Sequence, residues 1–208
     1  MDAFFAAIEE RDTPRFRGLP LVVGADPRGG AGRGVVSTAN YPARVYGIHS
    51  AMPISTAWRL SQAAMRRGEP ATIFLPGDYR KYEGVSNRIM AILRAAVPIV
   101  QQRSVDEAYL NLSFTGSMQR ARELCGYLKA EIRRRERLTA SVGIGPNKLI
   151  AKVASDMQKP DGLTVVAERD ASAFLAPLAI RKIPGIGPKT EAVLHARGIR
   201  TVRDARAL

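Results

Sequence analysis

Asp106 and Glu107 stand side by side in the segment RSVDEAYL. Adjacent side chains on a regular strand point to opposite faces, so two neighbouring carboxylates can serve one cation only at a strand end, a bulge or a hairpin tip. Set between apolar strand residues, they repel and lose hydration unless a divalent cation or a base neutralises them. The pair reads in two ways, as a solvated turn or as half of a metal site. Asp2, beside Phe4 and Phe5, is a third carboxylate expected near a strand end, and it reads equally as an N-terminal surface residue. Three carboxylates converging from separate strands can hold two Mg²⁺ ions for in-line phosphoryl transfer, one activating the attacking hydroxyl and the other holding a triphosphate.

Cations able to meet a triphosphate are also present. Tyr41 and Arg44 are three residues apart and share one helix face. Arg offers a planar fork to phosphate oxygens, whereas the distant Lys159 offers a point charge. Taken singly, each also reads as an ordinary surface residue. The segment IPGIGPK at 183–189 combines a tight Pro-Gly turn with little side-chain bulk, and a helix beginning near Pro188 adds its positive end. Backbone N–H groups there could approach a phosphate; a plain helix–helix turn is the other reading.

The elements that must position these residues alternate between strand and helix. Residues 1–10 read as the end of a strand entering a helix. Apolar runs at 19–24 and 34–39 flank the Gly-rich stretch 26–34 and predict a hairpin. A short helix is expected over 40–48, with Asn40 as cap and Gly47 as stop, and another from Pro53. A strand at 72–75 precedes a long helix at 78–97, capped by Asp78, whose Tyr82, Val85, Ile89, Ile92, Leu93 and Ala96 recur at helical spacing. Two strand-like pieces surround Asp106–Glu107. A second long helix at 117–137 carries Cys125 on its apolar face, where it reads as core. Strands at 139–144 and 162–166 flank a helix at 147–158, and the tail from 170 holds short helices. The pattern is α+β, with a central unit of helices on a sheet, an insertion at 11–70 and a helical tail.

Composition bounds the partners. The 208 residues can bury a core, and 46% hydrophobic with 25% charged residues excludes wholesale disorder. No apolar run approaches the roughly 18 residues that span a bilayer, and with no charged n-region followed by an apolar stretch at the start, no signal peptide is expected. One cysteine excludes an intrachain disulfide and a Cys-rich zinc site, and two histidines argue against a histidine-based metal centre. The expected address is the cytoplasm, in association with the nucleoid. The net charge of +13 points to a polyanion, most often nucleic acid. Residues 11–70 hold its largest share, nine Arg against three acidic residues.

In order along the chain, MDAFFAAIE, STANYPARVYGIHSAMP, SVDEAYLNL, SVGIGPNKLIAKVASDMQKPDG and IPGIGPKT resemble the motifs of Y-family DNA polymerases of the polymerase IV (DinB) type. The resemblance implies a catalytic palm (1–10 and 71–165), fingers (11–70) and a partial thumb with a helix-hairpin-helix (166–208). It implies template-directed, error-prone DNA synthesis past damage, with primer-template DNA and deoxynucleoside triphosphates as partners and two Mg²⁺ ions as cofactor. Asp106 and Glu107 would be metal ligands, joined by the backbone carbonyl of Met1. Phe5 would be the steric gate against a ribose 2′-OH. Thr38, Tyr41, Arg44 and Lys159 would bind the incoming nucleotide. Ile183, Gly185, Gly187 and Lys189 would meet the DNA backbone.

The match also has departures. The family's principal metal-bridging carboxylate falls one position before Met1, so Asp2 matches a second Asp that is not the main ligand. Asn111 stands where Asp is common. The first palm strand, the little-finger domain and the clamp-binding tail are expected to lie outside this chain, so the sliding clamp is a partner expected of a full-length member. A monomer that touches no membrane is expected. Two readings follow: a piece of an active translesion polymerase, or a non-catalytic DNA-binding remnant or accessory protein. A metal-dependent nucleotide cyclase, which shares a palm-like sheet, is disfavoured by the fingers and thumb motifs.

Overall fold

Helix α1 (Phe4–Asp12) begins directly behind Ala3, which sits at φ 43, and buries Phe4, Ala6, Ile8 and Glu9. In this computed structural model, which describes residues 1–206, residues 1–3 enter that helix without forming a strand. The chain divides into two compact units. The first comprises Met1–Ile92, Gln102–Ala108 and Arg135–Leu138. The second comprises Leu93–Gln101, Tyr109–Arg134 and the residues from Thr139 onward.

In the first unit the expected hairpin forms. β1 (Leu21–Gly24) and β2 (Val36–Ala39) pair antiparallel with Val22 opposite Ala39 and Val23 opposite Thr38, and the register shifts at Gly24. Between them, the Pro27 carbonyl accepts the N–H groups of both Gly30 (2.7 Å) and Gly32 (2.8 Å), folding the Gly-rich stretch on itself. Asn40 caps α2 (Tyr41–Val45) by accepting from the Ala43 N–H at 3.0 Å. That helix is shorter than the expected 40–48 because the backbone has already turned to φ +83 at Gly47. α3 (Ile54–Met65) follows Pro53. β3 (Ile73–Leu75) adds to β1 in parallel, giving the order β2-β1-β3. Val22, Val36, Ala39, Ala43, Ile48, Ile54 and Ala57 close one core, where each large aliphatic side chain contributes about 1.5–3 kcal/mol.

α4 (Tyr79–Ala96) starts behind Asp78, whose carboxylate accepts the Lys81 N–H at 3.1 Å. Its buried Tyr82, Val85 and Ile89 follow the expected three- and four-residue spacing. The carboxylate of Glu136, 5% exposed, takes Arg88 at 2.6 and 2.8 Å and Arg11 at 3.1 Å, tying α4 and α1 to the chain at Arg135–Leu138. β4 (Val100–Gln102) and β5 (Ala108–Leu110) form a two-stranded ladder whose tip belongs to this unit.

In the second unit, α5 (Met118–Glu136) buries Ala121 and Cys125 against Ile144, Leu112, Val142 and Leu163. Cys125 is core, as its place on the apolar face indicates. β6 (Val142–Ile144) and β7 (Leu163–Val165) pair in parallel, each shorter than expected, and α6 (Lys148–Met157) crosses between them behind its Asn147 cap. The tail forms α7 (Ala171–Leu175), α8 (Pro188–Ala196) and α9 (Val202–Arg206). Ile180, Ile199 and Val202, with Ile183, Ile186 and Leu194, make a small core for them. The mixed helix-and-sheet architecture expected from the sequence is the one observed.

Candidate active site

The acidic pair lies at a hairpin tip, one of the few positions from which adjacent carboxylates can face one ion. The Glu107 carbonyl accepts the N–H of Arg103 at 2.8 Å and of Ser104 at 3.3 Å, closing the turn. The Ser104 hydroxyl donates to Asp106 Oδ1 at 2.8 Å and accepts the Asp106 N–H at 3.3 Å, which fixes one carboxylate relative to the turn. The backbone nitrogen of Met1 donates to the Asp106 carbonyl at 2.8 Å, bringing the main chain of residue 1 to the tip. Asp106 is half-buried and Glu107 exposed. Mg²⁺ is commonly held by one or two carboxylates together with substrate phosphates and water, and this all-oxygen donor set fits such an ion. Asp2, 3% exposed, precedes α1. Among the described residues no group of three or more acidic, His or Cys side chains is gathered in a metal-binding arrangement.

Phe5 is half-buried on α1 and packed against α4. Its ring stacks on Tyr82 with centroids 4.3 Å apart and planes 14° apart, and meets Tyr79 edge-on at 5.8 Å. The Tyr79 hydroxyl shares a 3.3 Å hydrogen bond with Ser37 on β2. Next to Ser37, Thr38 is half-buried opposite Val23. One turn beyond β2, the Arg44 guanidinium lies 4.7 Å from the centre of the Tyr41 ring, and its Nε donates to the Ala39 carbonyl at 3.0 Å. The shared helix face expected for Tyr41 and Arg44 is thus a direct contact. A chain of contacts runs from Phe5 through Tyr79 and Ser37 to this strand.

Lys159 belongs to the second unit, exposed at the end of α6, with its ammonium 2.6 Å from Asp156. In the tail, Gly185 adopts φ +95, open to glycine and costly for other residues. Ile183 is half-buried in the small core, whereas Gly187, the residue before α8, and Lys189 are exposed. Nothing lies within 4 Å of where a Cβ would stand on Gly185 or Gly187, so the main chain there is open to approach.

Two participants are not evident from sequence. Glu9 lies on the buried face of α1, and the hydroxyl of buried Tyr82 donates to it at 2.7 Å. Their 73-residue separation leaves no local signal of the pairing. The available hint is that Glu9 and Phe5 are four apart, hence on one helix face.

Residues 1–156 match the model of the impB/mucB/samB family, and residues 168–199 match the IMS family HHH motif. DNA polymerase IV 2 of Methanosarcina mazei is 49% identical over 205 residues, covering 98% of this chain and 53% of the relative. DinB from Sulfolobus solfataricus superposes with a TM-score of 0.86 at 37% identity, covering 100% of this chain and 58% of that chain. The insertion ternary complex of Dbh DNA polymerase gives the same TM-score, 0.86, and the same 37% identity, over 100% and 58%. The chain spans about half the length of the curated relatives it matches.

Proposed function

The chain belongs to the impB/mucB/samB family, and on that footing we propose that it carries the nucleotidyl-transfer centre of a template-directed, error-prone DNA polymerase of the translesion kind. The carboxylate tip carries this reading: Asp106 and Glu107 side by side, with the backbone of Met1 hydrogen-bonded to Asp106 at 2.8 Å. Asp106, Glu107 and the Met1 carbonyl are the groups that would hold Mg²⁺. When bound there, the ions would activate the primer 3′-hydroxyl and hold the triphosphate.

The chain's own residues supply binding and selection. The Arg44 fork, steadied by Ala39 and Tyr41, and the Lys159 ammonium pair with phosphate oxygens of the deoxynucleoside triphosphate. Tyr41 and Thr38 line its seat. Phe5 presents an aromatic edge where a ribose 2′-OH would stand and so favours deoxyribose. Ile183, Gly185, Gly187 and Lys189 set the main chain at the start of α8 against the DNA backbone, where N–H groups and the helix end favour a phosphate. Residues 1–10 with 71–165 act as palm, 11–70 as fingers and 166–208 as part of a thumb. The protein works as a cytoplasmic, nucleoid-associated monomer, and a sliding clamp is the partner expected of a full-length member.

The test is incorporation on a primer-template with each of the four template bases, in the presence of Mg²⁺. Template-matched addition of one nucleotide is expected, with Phe5→Ala admitting ribonucleotides. Salt-sensitive DNA binding without any addition would reject the catalytic reading and leave a DNA-binding protein.

A further inference from the structure

Glu9 is a carboxylate that the core takes in, 9% exposed on the inner face of α1. A charge in that position needs close partners. It has two: the Lys81 ammonium at 2.7 Å and the hydroxyl of Tyr82 at 2.7 Å. Phe5 lies one helical turn before Glu9 on the same face. Tyr82, fully buried, spans the two, with its ring face on Phe5 and its hydroxyl on Glu9. α1 therefore holds one ring of α4 at both ends.

The two ends do different things. A stacked aromatic contact is shallow and tolerates sliding of one ring over the other. The hydroxyl bond to a charged acceptor is directional and strong. It fixes where the Tyr82 ring lies, and the ring face, 4.3 Å from the Phe5 centroid, limits how far Phe5 can settle toward α4. Burial and the Glu9 bond both push the Tyr82 phenol up, so the hydroxyl stays a donor.

We infer that Glu9 is a positioning residue for the Phe5 ring, and through it for the choice between deoxyribose and ribose in the incoming nucleotide. The inference rests on the reading of Phe5 as the gate. Glu9 acts through Tyr82 and touches no substrate.

The experiment is single-nucleotide extension of a primer-template with a deoxynucleoside triphosphate and with its ribose counterpart. The readout is the ratio of the two kcat/KM values, which partial loss of folded protein leaves unmoved because both values fall together. Five proteins are compared: wild type, Phe5→Ala, Tyr82→Phe, Glu9→Met and Glu9→Gln. Tyr82→Phe keeps the ring and removes only the hydroxyl, so the preference for deoxyribose is expected to drop about three- to tenfold. Glu9→Met is expected to do the same. Glu9→Gln retains an oxygen acceptor for the hydroxyl and should stay within about twofold of wild type. If Phe5→Ala loses the preference while Tyr82→Phe and Glu9→Met keep it, the inference is overturned and the gate reading stands. Equal losses in Glu9→Gln and Glu9→Met would also overturn it, because the hydroxyl acceptor would not be what matters. If Phe5→Ala retains the wild-type preference, or the wild type adds no nucleotide, the gate reading fails and the inference falls with it.

Discussion

The side-chain oxygen of Asn40 accepts the backbone N–H of Leu21 at 2.9 Å, which fixes the start of β1 to the helix that carries Tyr41 and Arg44. The same oxygen caps that helix at Ala43 (3.0 Å), and the amide donates to the Leu19 carbonyl (2.8 Å) and to Glu10 (2.9 Å). Asn40 is 1% exposed, so replacing it leaves buried partners unmatched. Asn40→Ala is expected to lower unfolding stability in denaturant by about 2–4 kcal/mol, and a loss below about 0.5 kcal/mol would contradict this role.

Glu10 gives a pH signature of opposite sign to the usual carboxylate. Burial lifts its carboxyl above the ordinary range, more than the Asn40 bond lowers it. With the folded pKa above the unfolded value, the folded state holds more protons than the unfolded state at any pH between the two. The favourable contribution is present below the unfolded pKa and is lost through the folded one. Glu10→Gln should therefore be more stable than wild type at neutral pH, and the gap should close below about pH 4. Unfolding curves across the acid range check this; a gap that widens toward acid would contradict it.

Gly143 on β6 has no room for a side chain. A Cβ there would stand 2.0 Å from the Ala151 carbonyl oxygen and 2.3 Å from the Ser155 nitrogen, both main chain of α6. Helix and strand must part to admit it. Gly143→Ala is expected to cost about 1–3 kcal/mol, read as a lowered midpoint of thermal unfolding; an unchanged midpoint would contradict the close approach.

Burial pushes the Cys125 thiol up to about 11 and leaves it 1% exposed. Thiolate, not thiol, is the reactive form. Iodoacetamide at about pH 8 should label Cys125 only when denaturant is added. Rapid labelling of the native protein, followed by mass spectrometry, would contradict its place in the core.

The features legible in the sequence were those with local causes. The β1–β2 hairpin follows from two apolar runs around a Gly-rich stretch, and the cap at Asn40 follows from Asn before a helical pattern. That Asp106 and Glu107 needed a strand end, bulge or hairpin tip followed from strand geometry alone, and the tip is what forms. Features with distant causes were not legible. Nothing in residues 73–75 names β1 as their parallel partner. Glu136 stands in the basic run RRRER with no local mark of burial, yet Arg88 and Arg11 draw it inside. Glu9 likewise reads as part of an acidic helix end until α4 brings Tyr82 against it.

Primer extension in Mg²⁺ by the wild-type chain and by Asp106→Asn bears most directly on the carboxylate tip. Asn keeps the size of Asp106 and an oxygen for the Ser104 hydroxyl, while removing the charge that would hold the ion. The wild type should add the template-matched nucleotide, and the variant should lose about 10²–10³-fold or more in rate with DNA binding retained. Extension by Asp106→Asn at the wild-type rate would contradict the assignment.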